Sequence, residues 1–229
     1  MRFEEAAERL ARLPDRLVLA AGEGGQARAR PLPPGPVALM PVFSDGRPRT
    51  ELRLGAVAGD RPAAVLALVV SGVDGSAAVI LTERPTYDGL HSGEVSLPGG
   101  KVEPDDVDLA ATALREAAEE VGLDPVAAEV EVIGRLDPLR IPVSRFSITP
   151  VVAIARRPPV LEASAWEVAR IIWAPLDAFL PGAPIEIVER QVRDWPLRYG
   201  GYRIDDLHVW GATARILGQL GALMAELGG

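Results

Sequence analysis

Cysteine is absent from the 229-residue chain, which removes disulfides, thiolate metal sites, thiol nucleophiles and redox motifs at once. Lysine is nearly absent too. Of 24 Lys and Arg only Lys101 is a lysine, and 32 Asp and Glu bring the net charge to −8. That balance excludes general nucleic-acid binding, whose affinity comes from clustered cations meeting phosphates. No stretch approaches the ~20 apolar residues of a membrane span. Met1-Arg2-Phe3-Glu4-Glu5 lacks the apolar core of a signal peptide. A cytoplasmic protein without a membrane partner is therefore expected. What the chain does have is 48% apolar and 24% charged residues, the composition of a folded domain. An acidic protein that handles an anionic substrate must concentrate positive charge locally, through metal ions or a few arginines.

The length suits one domain, with residues 1–60 as an N-terminal extension, 61–180 as the core and 181–229 as a C-terminal extension. Phe3, Ala6, Leu10 and Leu13 form the stripe of an amphipathic helix closed by Pro14. From Pro31 to Pro48 the chain is rich in turn signals, and Leu52, Leu54 and Val57 suggest a short strand or extension. Ala64 to Ser71 and Ala77 to Thr82 read as buried strands of a hairpin joined across Gly72 to Ser76. A helix is predicted from about Asp106 to Val121, ended by Gly122. Strand-like runs follow at 129–135, 146–155 and 170–174. A last helix is predicted from about Leu207 to Leu227.

The central helix carries the chemistry. Ala110, Ala113, Leu114, Ala117 and Val121 form its apolar arc. Glu116, Glu119 and Glu120, at i, i+3 and i+4, are expected on the opposite arc as three neighbouring carboxylates. Crowded acids are tolerated where water screens them or cations neutralise them. The Pro98-Gly99-Gly100 turn lets backbone approach a ligand closely, and Arg115 is placed to orient one of the acids. Hard divalent ions, Mg²⁺ above all, are held by a few carboxylates together with substrate phosphates.

These residues resemble the Nudix hydrolase family, whose box runs Gly, five residues, Glu, seven residues, then Arg-Glu, an apolar residue, any residue, Glu-Glu, any residue, Gly and an apolar residue. Arg115 to Leu123 matches the second half at every fixed position. In the first half Asp106 stands where Glu is usual, and eight residues separate it from Arg115. Asp105 or Asp106 reads either as that early acid or as a helix N-cap. Leu81-Thr82-Glu83-Arg84 and His91 to Gly100 look like the coenzyme A pyrophosphatase branch of the family, although Leu97, Pro85 and Gly89 depart from its usual residues. Gly134-Arg135-Leu136, Thr149 to Val152, Glu167-Val168 before Ala174-Pro175-Leu176, and Trp210 to Ala214 extend the resemblance across about 62–216.

The resemblance implies a Nudix-type α/β/α sandwich with a mixed sheet, here with an N-terminal extension and a C-terminal helix. Carried over, Glu116 and Glu120 are the main ligands of Mg²⁺ or Mn²⁺. Glu119 is a secondary ligand or binds through water, Gly99 offers its carbonyl, and Arg115 orients the acids. Glu116 is the first candidate for the base that activates water and Glu167 the second. Arg84 is set to bind phosphate against the alternative of an ion pair. His91, Gly100 and Lys101 are further substrate-binding candidates, with a loop-fixing His91 and a solvated Lys101 as the plain readings. His208 reads as structural. Trp195, Tyr199, Tyr202 and Trp210 supply aromatic surface for packing, a dimer contact or a stacked adenine. The expected activity is hydrolysis of a nucleotide diphosphate, with coenzyme A or an acyl-coenzyme A yielding 3′,5′-ADP and 4′-phosphopantetheine. ADP-ribose or another nucleotide substrate, or a module that has lost catalysis, are the alternatives. A homodimer is plausible.

Overall fold

The structure, a computed structural model, describes residues 1–13, 31–43, 59–85, 93–141, 144–192 and 195–229. The extension suggested around Leu52 to Val57 lies outside them.

Helix α1 (Phe3–Leu10) buries Phe3, Ala6, Ala7 and Leu10, the expected stripe. Strands β1 (Val42–Phe43), β2 (Arg61–Ser71), β3 (Ala77–Glu83), β4 (Val95–Ser96) and β5 (Gly99–Lys101) precede helix α2 (Leu109–Val121). Strands β6 (Val130–Arg135), β7 (Leu139–Ile141), β8 (Phe146–Ala155) and β9 (Arg170–Pro175) follow it. The chain then forms β10 (Glu186–Val192), β11 (Trp195–Ile204), β12 (Leu207–Trp210) and helix α3 (Gly211–Gly228).

Eight strands, β2 to β9, make a mixed sheet around the parallel pair β2 and β8, in register from Arg61 opposite Phe146 to Val69 opposite Ile154. The hairpin expected at Gly72 to Ser76 is present, with Gly72 N–H donating to Ser76 O at 2.8 Å and Val69 opposite Val79. β2 and β3 pair only near that turn. Thr82 pairs with Ser96 on one edge of β3 and with Ile171 on the other, while Ala63 to Val65 pair with Gly99 to Lys101. β4 and β5 are thereby wedged between the splayed β2 and β3, which places the Gly99-Gly100 turn inside the sheet.

Side-chain alternation divides the core into two layers. Ala64, Leu66, Leu68 and Val70 of β2 pack with Ala113, Ala117 and Val121 of α2 on one face. Ala67 and Val69 pack on the other with Leu10 of α1 and Leu217, Leu220 and Met224 of α3. Both faces are covered, so β2 is apolar almost throughout. The result is the expected α/β/α sandwich.

Two expectations need correction. The predicted helix from Leu207 is two elements, because His208, Val209 and Trp210 pair with Arg203, Tyr202 and Gly201 across a turn before α3 begins at Gly211. The C-terminal extension also holds strands the sequence did not announce. β10, β11, β12 and β1 form a second, antiparallel sheet, in which β1 of the N-terminal segment pairs with β11. Pro196 and the adjacent Gly200 and Gly201 interrupt any strand pattern, yet the glycines are what the packing requires. A Cβ on Gly200 would press against Ala38 O, and one on Gly201 against the His208 ring.

Candidate active site

α2 starts later than predicted. Asp108 is its N-cap, accepting from the N–H groups of Ala110 and Ala111 at 2.8 Å each, so neither Asp105 nor Asp106 caps it. Gly122, at φ +65°, closes the helix in the left-handed conformation. Asp106 belongs to the loop before the helix, where its two oxygens take Nε and Nη2 of Arg115 at 3.0 and 3.1 Å. It also accepts from Thr112 Oγ1 at 2.9 Å and from the Glu103 N–H at 2.8 Å. The Arg115 guanidinium, with these donors, holds the Asp106 carboxyl well below the usual carboxylate range.

The expected opposite arc for the glutamates is not what forms. At 100° per residue, Glu116 and Glu120 fall about 60° and 20° from Ala113, inside the arc that faces the sheet. The apolar residues set that arc, and its two acids are accommodated because they meet glycines rather than side chains. The Glu120 carboxylate accepts the Gly99 N–H at 3.2 Å. The Glu116 carboxylate lies directly over Gly100, where a Cβ would overlap it. Gly99 itself has φ +154°, and a Cβ there would strike the β2 backbone at Ala64 O and Val65 Cα. Glu119 points outward, with 55% of its side chain exposed, and pairs with Arg115 at 3.1 Å.

Burial pushes Glu120 up to about 7, assisted by the Glu116 and Glu167 charges and opposed by the Gly99 N–H and Arg84. Burial also raises Glu116, with Arg115 at 3.1 Å opposing it. Arg115 thus joins Asp106, Glu116, Glu119 and the Lys101 carbonyl, the last at 3.1 Å. Glu167 is exposed on a loop tied to the end of α2, where Ser164 N–H donates to Glu120 O at 2.8 Å and Glu162 N–H to Val121 O at 2.9 Å.

As the side chains stand, no three acids or histidines among the described residues converge closely enough to hold an ion. Arg115 spans Glu116 and Glu119 instead. The donor set nonetheless fits a hard divalent cation. Two half-buried carboxylates, each raised by burial, stand over a turn without side chains and call for a compact positive charge with oxygen preference.

A cavity of about 520 Å³, within the range for small-molecule sites, is lined by the Gly99-Gly100 turn against which Glu116 and Glu120 rest, although none of the three glutamates lines it. Arg84, Gly99, Gly100 and Lys101 line it. Arg84 is exposed, as is Lys101, whose Nζ lies 3.6 Å from Glu103. Tyr199 and Trp210 also reach the cavity wall, stacked on each other at 4.7 Å, while Tyr202 is buried edge-on against Phe179. His208 packs beside Tyr199. His91 and the side chain of Trp195 lie outside the described residues. Two placements were not read from the sequence. Asp108 had a signal in its position just before the helix-forming run; Arg215, which also lines the cavity, had none.

Comparison with known proteins shows the family. Residues 60–195 match the family described as the NUDIX domain. "Nudix hydrolase 15, mitochondrial" of Arabidopsis thaliana is 40% identical over 164 residues, 68% of this chain and 55% of that protein. "Nudix hydrolase 22, chloroplastic" of the same plant is 39% identical over 69% of this chain and 53% of that protein. "Uncharacterized Nudix hydrolase NudL" of Salmonella paratyphi B is 41% identical over 62% of this chain and 72% of that protein. The chain spans about half the length of the two plant relatives.

Proposed function

The chain belongs to the Nudix family, and on that basis we propose that it is a divalent-metal-dependent hydrolase of the diphosphate linkage in a nucleotide derivative, with coenzyme A or an acyl-coenzyme A as substrate. The observation that carries the reading is the pair Glu116 and Glu120, half-buried as acids inside the apolar arc of α2 against Gly99 and Gly100. A structural helix gains nothing from acids in that position. Glu116 and Glu120 would hold Mg²⁺ or Mn²⁺, with Glu119 as a secondary ligand released from Arg115 and the Gly99 carbonyl beside them. Bound there, the ion supplies charge neutralisation of the diphosphate and activation of water toward phosphorus.

The chain's own groups do the rest. Arg115, clamped by Asp106, holds Glu116 in place and keeps the loop at Lys101 against the helix. Glu116 Oε is the first candidate to take the proton of the attacking water, its burial raising its basicity. Glu167, near enough for Glu120 to feel its charge, is the second. Arg84, facing both the cavity and Glu120, meets the diphosphate with its fork of donors. Lys101 is the weaker phosphate candidate because Glu103 engages it.

The coenzyme A preference is supported by Leu81 to Arg84 and Val95 to Gly100, which resemble that branch of the family, and by a cavity large enough for more than a diphosphate. Hydrolysis would yield 3′,5′-ADP and 4′-phosphopantetheine. No helix among the described residues is long and apolar enough to cross a membrane. The plant relatives bear mitochondrial and chloroplastic names, and a cytoplasmic location is proposed for this chain alone.

The test is incubation with coenzyme A, dephospho-coenzyme A, ADP-ribose and a diadenosine polyphosphate, each with Mg²⁺ and with chelator, and mass identification of products. Metal-dependent release of 3′,5′-ADP from coenzyme A is expected. Turnover of ADP-ribose without coenzyme A turnover would move the substrate, and no turnover of any compound would leave a binding module.

A further inference from the structure

Several arginines among the described residues are matched to acids. Arg115, Arg140, Arg170 and Arg203 each stand 2.7 to 3.0 Å from a carboxylate. Arg215 does not follow them. It is the fifth residue of α3, half-buried, and lines the same cavity as Arg84 and the Gly99-Gly100 turn. Among the described residues its side chain makes no hydrogen bond and no ion pair. Glu94, the one acid of the cavity lining, makes no ion pair with it.

An uncompensated charge in such a place is costly. Taking a cation out of water is unfavourable unless a partner offsets it, and nothing among the described residues does so here. Burial alone pulls the guanidinium down to about 10, so it stays charged at neutral pH. The position on α3 adds no relief, because the positive end of a helix dipole disfavours cations. The wall around it is apolar, with Ile141, Ile148, Leu197 and Ile216. An anion entering there meets a preformed fork of donors in a low-dielectric setting, which strengthens the attraction.

We propose that Arg215 is a specificity-determining residue that receives a phosphomonoester of the substrate, separate from the diphosphate that is cleaved. This rests on the reading of the substrate as a nucleotide of the coenzyme A type, whose ribose carries such a group. Arg84 and the glycine turn serve the diphosphate, being coupled to or touching the acids of α2. Arg215 comes from a different helix and a different layer, and it gives the cavity a second cationic station.

The experiment is calorimetric titration of the metal-free full chain with 3′,5′-ADP and with 5′-AMP, which differ by the phosphomonoester alone. The wild type is expected to bind 3′,5′-ADP at least about tenfold more tightly, the size of one charge-assisted contact. Arg215→Gln should bring the two ligands to within about twofold, and Arg215→Lys should retain part of the preference. A Gln variant that keeps the full preference, or a wild type that shows none, overturns the proposal. The wild-type comparison stands even where a variant fails to fold. Kinetics then separate this proposal from the functional reading. In the Gln variant the coenzyme A to dephospho-coenzyme A ratio of kcat/KM should fall about tenfold, in KM rather than kcat. A phosphomonoester preference that Arg215→Gln abolishes, in a protein that hydrolyses neither compound, supports Arg215 as an anion site and removes the proposed reaction.

Discussion

Arg115 donates from Nε and Nη2 to the two oxygens of Asp106, at 3.0 and 3.1 Å, across a stretch of chain that departs from the family's usual spacing. Asp106 replaces a longer acid and one extra residue intervenes, yet the clamp closes. The side chain of Asp106 is 5% exposed, so the clamp is shielded from water. Arg115 is thereby fixed before it meets Glu116.

Asp106→Asn should loosen Arg115 and cost roughly tenfold in kcat through misplacement of Glu116, with Asp106→Glu recovering part of it. The variant should also have an altered acid stability. Asp106 has a depressed carboxyl in the folded state, so its contribution is fully present above the ordinary value of 3.8 and is lost as pH falls below it. The Tm difference between wild type and Asp106→Asn, followed from pH 7 to pH 3, should shrink at the acid end. A difference independent of pH would remove the clamp from the account.

Glu120→Gln should lower turnover by about a hundredfold or more, since a ligand is lost while packing is kept. Its effect on stability should run the other way. In the metal-free protein Glu120 rises from 4.5 to about 7, so the ionised group destabilises the fold at pH values above that interval and not below it. At about 1.4 kcal/mol per pKa unit the penalty is on the order of 3 kcal/mol. Thermal melts should therefore show a higher Tm for Glu120→Gln than for wild type at pH 8, with the gain vanishing near pH 4.5.

Gly100→Ala and Gly99→Ala should part company. The Cβ on Gly100 displaces only the end of the Glu116 side chain, so the protein should fold with nearly unchanged Tm and lose at least about tenfold in activity. The Cβ on Gly99 meets the β2 backbone, which cannot yield cheaply, and the expected result is a large drop in Tm or loss of soluble protein. Circular-dichroism melts beside a turnover assay distinguish the two.

Glu167→Gln tests the second candidate base. If Glu116 takes the proton, the Glu167 variant should lose no more than about tenfold and keep the wild-type pH–rate profile. Loss of the alkaline-rising limb of that profile would transfer the role to Glu167.

Much of the core was readable from the chain. The β2–β3 hairpin announced itself by two apolar runs around a turn, and α2 by its box and by Gly122. The phase of the glutamates was readable, since Glu116 and Glu120 stand three and seven residues after Ala113, but acids are ordinarily assigned to the solvent side; what no local pattern announced is that Gly99 and Gly100, without side chains, give them room to face inward. The second sheet was hidden for a related reason. β10 reads Glu186-Ile-Val-Glu-Arg-Gln-Val192, with charged residues scattered through it, and β11 carries Pro196, Gly200 and Gly201. Their strand character comes from pairing with each other and with β1, a long-range contact no local pattern encodes. Arg215 is legible only in three dimensions, since its meaning lies in the partner it lacks.

The most direct test is a Mn²⁺ titration followed by electron paramagnetic resonance, on wild type and on the double variant Glu116→Gln, Glu120→Gln. Saturable binding to the wild type that weakens by at least about a hundredfold in the folded double variant is the predicted outcome. Equal Mn²⁺ affinity in both proteins, or none in the wild type, contradicts a metal centre on these two acids.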